Sequence, residues 1–472
     1  MRAKAHREEF KTMKKQIIWI MFFCMILSAC TKKGMVLDPN MPATITIWHY
    51  YNGKQKEVFD SLVEEFNQTV GREKGIIVTA ETKGEVKNLE ESIIAAANQT
   101  VGAENLPDVF ATYTDTAYNL YEMNLLADIG QYISEEEEKE YIDSFIKEGR
   151  FGDGGLYVFP IAKSTELLYL NITDWEPFAK EQGYDISQLS TWEELVRIAK
   201  SYYEWSGGKT FFGRDAIANF MIVGSYQLEK EMFITSKGEV KVWVHEGMLK
   251  KMWDNYAEPY IKGYYGAFGR FRSDDIKTGD IIAAVGSTSS VAYYPKEVTL
   301  DNGEAYPIEV KVLPLPNFYG MHAGGVQQGA GMAVIHSDIQ KETAAVEFLK
   351  WFTDSKQNIK FCVNTGYLPV KDEDNLFENM EQAFAEDTIT EDTLAYQNTM
   401  LGIDMVLNTN LYAAPPFENG SNVRRTITYY LTERLNIYKE KYNNATSTEE
   451  KEIFLKDAYG EWLESLKREL QN

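Results

Sequence analysis

The chain has 472 residues and carries 48 Lys and Arg against 71 Asp and Glu, a formal net charge of −23. Such a field repels nucleic acid and anionic lipid surfaces, which excludes nucleic-acid binding as a function. Hydrophobic residues make up 44% and charged residues 25%, the balance of a globular protein with a sizeable core and length for two or three domain-sized units.

At the N-terminal end, Lys14 and Lys15 precede an unbroken apolar run from Ile17 to Leu27, and Ser28-Ala29-Cys30 follow. A charged start, a short apolar segment and small residues at its end read as a secretory signal. The run is 11 residues long, too short for the roughly 20 needed to span a bilayer as a helix. Leu27-Ser28-Ala29-Cys30 resembles the lipobox of bacterial lipoproteins, which implies cleavage before Cys30 and a lipid on its sulfur. Residues 1–29 would then be signal, and the remainder would carry about −27, since the leader holds six Lys and Arg against two Glu. With Cys24 removed and Cys30 lipidated, Cys362 has no partner, so neither a disulfide nor a cysteine metal site is expected. Residues 30–42, with Gly34, Pro39 and Pro42, read as a tether.

From Ala43 the pattern alternates. Ile45–Trp48, Ile76–Val78 and Pro107–Ala111 are short β-runs. Between them, Gln55–Val70 and Glu85–Gln99 repeat apolar residues at helical spacing, with Val58, Leu62, Val63 and Phe66 on one face and Leu89, Ile93, Ala96 and Ala97 on another. Alternating strands and helices predict a parallel sheet covered on both faces, with ligands held beyond the carboxyl ends of its strands. Glu135–Glu138 reads as a solvated helix start. The middle is more helical: Thr191–Trp205, where Thr191 and Glu194 fit a capping box, and His245–Tyr256. Ile281–Val285 and Val310–Leu313 are further strands. Asp338–Phe352, Asn422–Tyr442 and Thr448–Leu470 complete the chain as amphipathic helices.

The chemistry-bearing segments lie where strands end. Trp48-His49-Tyr50-Tyr51-Asn52 closes the first strand, Tyr113-Thr114-Asp115 the third, and Ser164-Thr165-Glu166 precedes the apolar run Leu167–Leu170. Short polar groups beside flat rings are what a polyol needs: paired hydrogen bonds and a surface under its C–H face. His49, Tyr50, Tyr51, Thr114, Asp115, Ser164, Thr165 and Glu166 are therefore candidate ligand-binding residues. The opposing reading is that each cluster caps a helix and packs its ring locally. Signatures of hydrolases, zinc proteases and nucleotide binding are missing, and no histidine pair has metal-ligand spacing. Neither a catalytic residue, a cofactor nor a metal is expected.

Phe159–Asn171, together with Pro107-Asp108-Val109 and Leu125–Ile129, resembles the conserved segments of family 1 extracellular solute-binding proteins, the substrate-capturing lipoproteins of carbohydrate ABC importers. Leu313–Pro316, Gly329–Val334 and Asn364–Val370 are similar to the glycerol-3-phosphate-binding branch. The resemblance covers most of 43–470. It implies an α/β, two-lobe periplasmic-binding-protein-like fold of type II with a ligand cleft between lobes that close on the solute. The expected division places 43–158 and 283–330 in lobe 1, and 159–282 and 331–472 in lobe 2. By the same resemblance Ser164, Ser287 or Ser289, Gly329 or Gly331, and Tyr367 contact the ligand. Arg425, with Arg424 as competitor, stands where that branch places an arginine for phosphate. The match departs at Glu81-Thr82-Lys83, where the branch has a tyrosine, and at Thr114-Asp115, where it has a glutamate. The function implied is capture of a sugar, oligosaccharide or phosphorylated polyol and its delivery to ABC permease transmembrane subunits. The protein would be a monomer, exported and lipid-anchored at the extracytoplasmic face of the cell membrane. A surface-anchored glycoside-active enzyme and a carbohydrate sensor without transport are the rivals.

Overall fold

The structure is a computed structural model that describes residues 37–236 and 239–471. The signal segment, Cys30 and the tether up to residue 36 lie outside the described residues.

Two four-stranded sheets organise the fold. In the first, Ala43–His49 runs parallel to Ile76–Thr82 on one side and to Val109–Thr112 on the other. Gly331–Val334 adds an antiparallel edge beside Val109–Thr112. The alternation along Ala43–His49 is strict at first: Ala43, Ile45 and Ile47 are buried and Thr44 and Thr46 are exposed. Helices cover the buried side. Gly53–Gln68 contributes Val58, Phe59, Leu62, Val63 and Phe66, and Ile339–Phe352 packs Phe348, Leu349 and Phe352 into the same core. Ring contacts such as Phe66–Phe348, with centroids 5.1 Å apart, tie the two helices together.

In the second sheet the central strand Glu166–Asn171 is antiparallel to both Val310–Leu313 and Ala283–Ser287, and Phe212–Arg214 runs parallel to Ala283–Ser287. All six residues of Glu166–Asn171 are buried. The long C-terminal helix Thr448–Gln471 closes this core with Trp462, whose Nε1–H donates to the Tyr430 carbonyl at 3.0 Å. The expected single helix over 422–442 is two, Gly420–Leu431 and Glu433–Asn444, separated at Thr432, whose dihedrals (φ −129, ψ −86) are not helical. The expected capping at Thr191 is half made: its side chain accepts the Glu194 N–H, without the reciprocal bond.

The chain crosses between the two sheets side by side. Phe159 pairs with Met332, Ser164 with Gln328, and Lys163 with Leu368. Gly329, at φ +92, lies in this crossing, and a Cβ there would stand 2.8 Å from the Ala162 carbonyl oxygen. That approach admits only glycine.

The pairing corrects the expected lobe boundaries. Residues 283–287 and 310–313 hydrogen-bond into the second sheet, not the first. Residues 331–334 join the first sheet, and 339–352 pack on it. Ala283–Val285 and Gly331–Val334 are both short, apolar runs, so their composition carries no sheet address; only long-range hydrogen bonding decides it.

Candidate binding cleft

The carboxyl ends of the first sheet present three phenols. Tyr50 follows Ala43–His49, and its hydroxyl lies 3.3 Å from that of Tyr367. Tyr113, immediately after Val109–Thr112, also reaches the Tyr50 hydroxyl, and burial pushes its phenol up to about 12. Tyr367 stacks on Phe361 at 5.7 Å, so its ring is held by the lobe 1 core while its hydroxyl faces Tyr50 and Ser289. Beside them, helix Thr114–Glu122 starts with Asp115 in its first turn. Glu90, on helix Val86–Ala97, accepts from the Thr116 hydroxyl at 3.1 Å. Burial pushes both carboxyls above the usual range, and Arg424 opposes the rise at each.

The second sheet ends in charge pairs. Glu166 and Arg214, both 1% exposed, form a buried salt bridge. Asn219 donates its amide to Glu166 Oε1 at 2.9 Å and to Gln328 Oε1 at 3.1 Å, and accepts from Arg424 Nη1 at 2.7 Å. Asp215, next after Phe212–Arg214, accepts the Arg272 N–H at 3.2 Å, and burial raises its carboxyl to about 6 against the pull of Arg272. At the crossing, Lys163 is tied to Glu148 at 2.8 Å and to the Gly329 carbonyl at 2.9 Å. Contacts pass directly between the lobes: Gln55 Nε2 donates to the Ser289 carbonyl at 2.9 Å, Arg270 pairs with Glu85, and Arg424 Nε lies 3.9 Å from Asp115. The arrangement offers hydroxyls, amides and compensated carboxylates, with aromatic rings at one wall. Such a set of groups suits a polar, hydroxyl-bearing solute.

A family model of bacterial extracellular solute-binding proteins matches residues 61–388, a span that takes in the second sheet, the crossing and every strand of the first sheet except Ala43–His49. The chain belongs to this family. Solved structures share the fold at low identity. One is a cyclic α-maltosyl-1,6-maltose-binding protein from Arthrobacter globiformis, 16% identical, with a TM-score of 0.66 over 91% of this chain and 100% of that one. Another is UgpB from Mycobacterium tuberculosis in complex with glycerophosphocholine, 17% identical, TM-score 0.67, covering 91% and 98%. A third is a Thermus thermophilus maltotriose-binding protein with maltotriose bound, 16% identical, TM-score 0.57, covering 89% and 100%. No curated protein sequence matches the chain. As an extracellular solute-binding protein it has the two-lobe periplasmic-binding-protein-like architecture.

The expected site residues divide within this solute-binding fold. Tyr50 and Tyr367 meet through their hydroxyls, the Ser289 carbonyl accepts from Gln55 of the other lobe, and Asp115 faces Arg424 of the other lobe. Thr114 is buried at the start of its helix. Ser287 caps the following turn, its Oγ 2.9 Å from that of Ser289. Ser164 is paired through its backbone to Gln328 in the crossing, and Thr165 is fully buried. The remaining residues lie elsewhere or are engaged within the protein. His49 and Tyr51 lie in the lobe 1 core: His49 continues the inward alternation of Ile45 and Ile47, is 0% exposed, and packs 4.9 Å from Phe59. Glu166 is committed to Arg214 and Asn219 rather than open to a solute. Gly329 and Gly331 admit the crossing backbone: a Cβ on Gly331 would meet the Phe159 carbonyl at 2.6 Å. Arg425 is exposed and holds Asn422, while its neighbour Arg424 turns to Asp115 and Asn219. Successive residues on a helix point about 100° apart, so only one of the pair can face the cleft.

Sequence reasoning missed Glu90, Asp215 and Asn219, and passed over Tyr113. Tyr113 and Asp215 both stand directly after a strand, a position that could have singled them out. Asn219 and Glu90 sit in helices with no local signal.

Proposed function

We propose that this protein is the solute-capturing subunit of an ABC importer, held at the membrane by a lipid on Cys30, and that its ligand is an uncharged sugar or oligosaccharide. The observation that carries the choice of ligand is charge compensation. Lys163 meets Glu148, Arg214 meets Glu166, Arg272 meets Asp275, and Arg424 meets Asp115. A phosphate would have to draw one of these cations from a carboxylate, whereas neutral hydroxyls need only the donors and acceptors already arranged. The likeness to sugar-binding structures supports this reading. It performs no chemistry: the solute is bound, enclosed as the lobes close, and released to the permease as a monomeric receptor's cargo.

A phosphorylated polyol is the second reading. It is favoured by the side chain of Arg424, 43% exposed and 3.9 Å from its carboxylate, and by the likeness to UgpB. Titration calorimetry and thermal shift with maltotriose, a set of other neutral oligosaccharides, glycerol 3-phosphate and glycerophosphocholine separate the two. A ligand at a hundredfold excess over its Kd stabilises by about 2.7 kcal/mol. Stabilisation by the neutral set alone is expected; stabilisation by the phosphates alone selects the second reading. Steady release of cleaved sugar would defeat both. Release from membranes of a Cys30→Ser variant tests the anchor, and a variant that still pellets with them contradicts it.

A further inference from the structure

Arg424 belongs to helix Gly420–Leu431, whose Val423, Ile427 and Leu431 are built into the second core. Asp115 belongs to helix Thr114–Glu122, whose Ala117 and Leu120 are built into the first. Their contact therefore joins two separate hydrophobic cores. It is also continuous with the interior of lobe 2: Arg424 donates to Asn219 at 2.7 Å, Asn219 donates to Glu166 at 2.9 Å, and Glu166 holds Arg214. The join is steric as well as electrostatic. A Cβ on Gly420 would stand 2.7 Å from Asp115 Oδ1, so the start of the lobe 2 helix rests against the carboxylate itself.

We infer that Asp115, Arg424 and Gly420 form a latch between the lobes, which sets the balance of open and closed forms independently of what the cleft binds. Arg424 is a positioning residue here. Its guanidinium is anchored on its own lobe by Asn219 and reaches the other lobe only when the two are together. Asp115 is the matching part on lobe 1, half-buried, with no other cation in contact among the described residues. Opening separates the pair and returns both groups to water. A contact made in one state only shifts the equilibrium by its own free energy, and the apparent affinity for every solute scales with the closed population it leaves accessible.

The latch is testable without knowing the solute. A donor–acceptor fluorophore pair at positions 87 and 200, on helices of lobe 1 and lobe 2, reports the distance between lobes in the ligand-free protein. Asp115→Asn and Arg424→Gln are each expected to raise the open fraction several-fold, and the double variant no further than either alone, because both remove the same contact. Raising salt to about 0.5 M is expected to open the wild type more than the variants, which among the described residues keep only the exposed Arg270–Glu85 ion pair between the lobes. Gly420→Ala provides an arm free of charge changes. Alanine favours the helix it sits in, so resistance to urea should hold or rise while the open fraction increases. Distance distributions that coincide in wild type and all variants would overturn the latch, as would two single effects that add. Failure to find a neutral ligand would leave this result untouched.

Discussion

Beyond the first sheet the cleft wall is made of phenols seated on an aromatic core, whereas beyond the second it is made of charges paired inside the protein. Tyr50 and Tyr367 are held by ring packing, against Tyr51 and Phe361, and their hydroxyls meet. Glu166, Arg214 and Asn219 are held by one another. The two walls reach the same end, a fixed polar surface, by different means. Packed rings lose little when one hydroxyl is removed. A buried ion pair fails when either member is lost, because the survivor is left charged and unsolvated.

The comparison breaks most sharply at Arg214. Arg214→Ala strands Glu166 in the second core, and a loss of about 3–5 kcal/mol is expected by urea denaturation; a loss below about 1 kcal/mol would mean that the pair is not the support of this wall. The two lobes should also respond to acid in opposite directions. His49 is buried uncharged, and desolvation lowers its pKa to about 4 from 6.5. Its contribution is complete above pH 6.5 and is lost as pH falls from there towards 4, by up to about 3 kcal/mol. His49→Phe should flatten that decline when stability is followed by urea denaturation between pH 7 and 4.5. Asp215 has its pKa raised to about 6 by burial, so its contribution is present below the unfolded value of 3.8 and is lost as pH rises through 6. Asp215→Asn should therefore gain on the wild type between pH 4 and 7, by roughly 1–2 kcal/mol once its partial exposure to solvent is allowed for. Equal pH profiles for wild type and either variant would remove that group from the comparison. The smallest effect is expected at Tyr367→Phe. It deletes one hydroxyl contact and keeps the ring, costing about 1 kcal/mol or less in stability. A solute that touches this hydroxyl should bind the variant several-fold more weakly in calorimetry, and unchanged binding places Tyr367 outside the contact surface.

Much of the first lobe is legible in the chain itself. Its first three strands and two helices carry clean periods of two and near 3.6, and these pair with neighbours close in sequence, so local pattern and final partner agree there; Gly331–Val334 and Ile339–Phe352 join from far along the chain. The second lobe is harder to read. Its sheet joins 166–171, 212–214, 283–287 and 310–313, runs too short to advertise a partner across some 150 residues. The site divides along the same line. Tyr50 and Asp115 stand where strand ends announce a ligand wall. Arg424 was one of two adjacent arginines, and the choice between them follows from helix phase against the rest of lobe 2. His49 shows the limit of a motif: the aromatic, polar cluster after the first strand is real, but the pleat sends His49 inward and Tyr50 towards the cleft.

The sequence by itself determined that this chain alternates strand and helix, belongs among bacterial extracellular solute-binding proteins, and concentrates hydroxyls, carboxylates and rings at strand ends. Those are properties of residue type and local period. The tertiary structure alone decided which sheet takes 283–287 and which takes 331–334, which cations are already neutralised, and which arginine spans the lobes. These depend on hydrogen bonds and charge pairs between residues hundreds of positions apart, whose free energies exist only once the chain has brought them together.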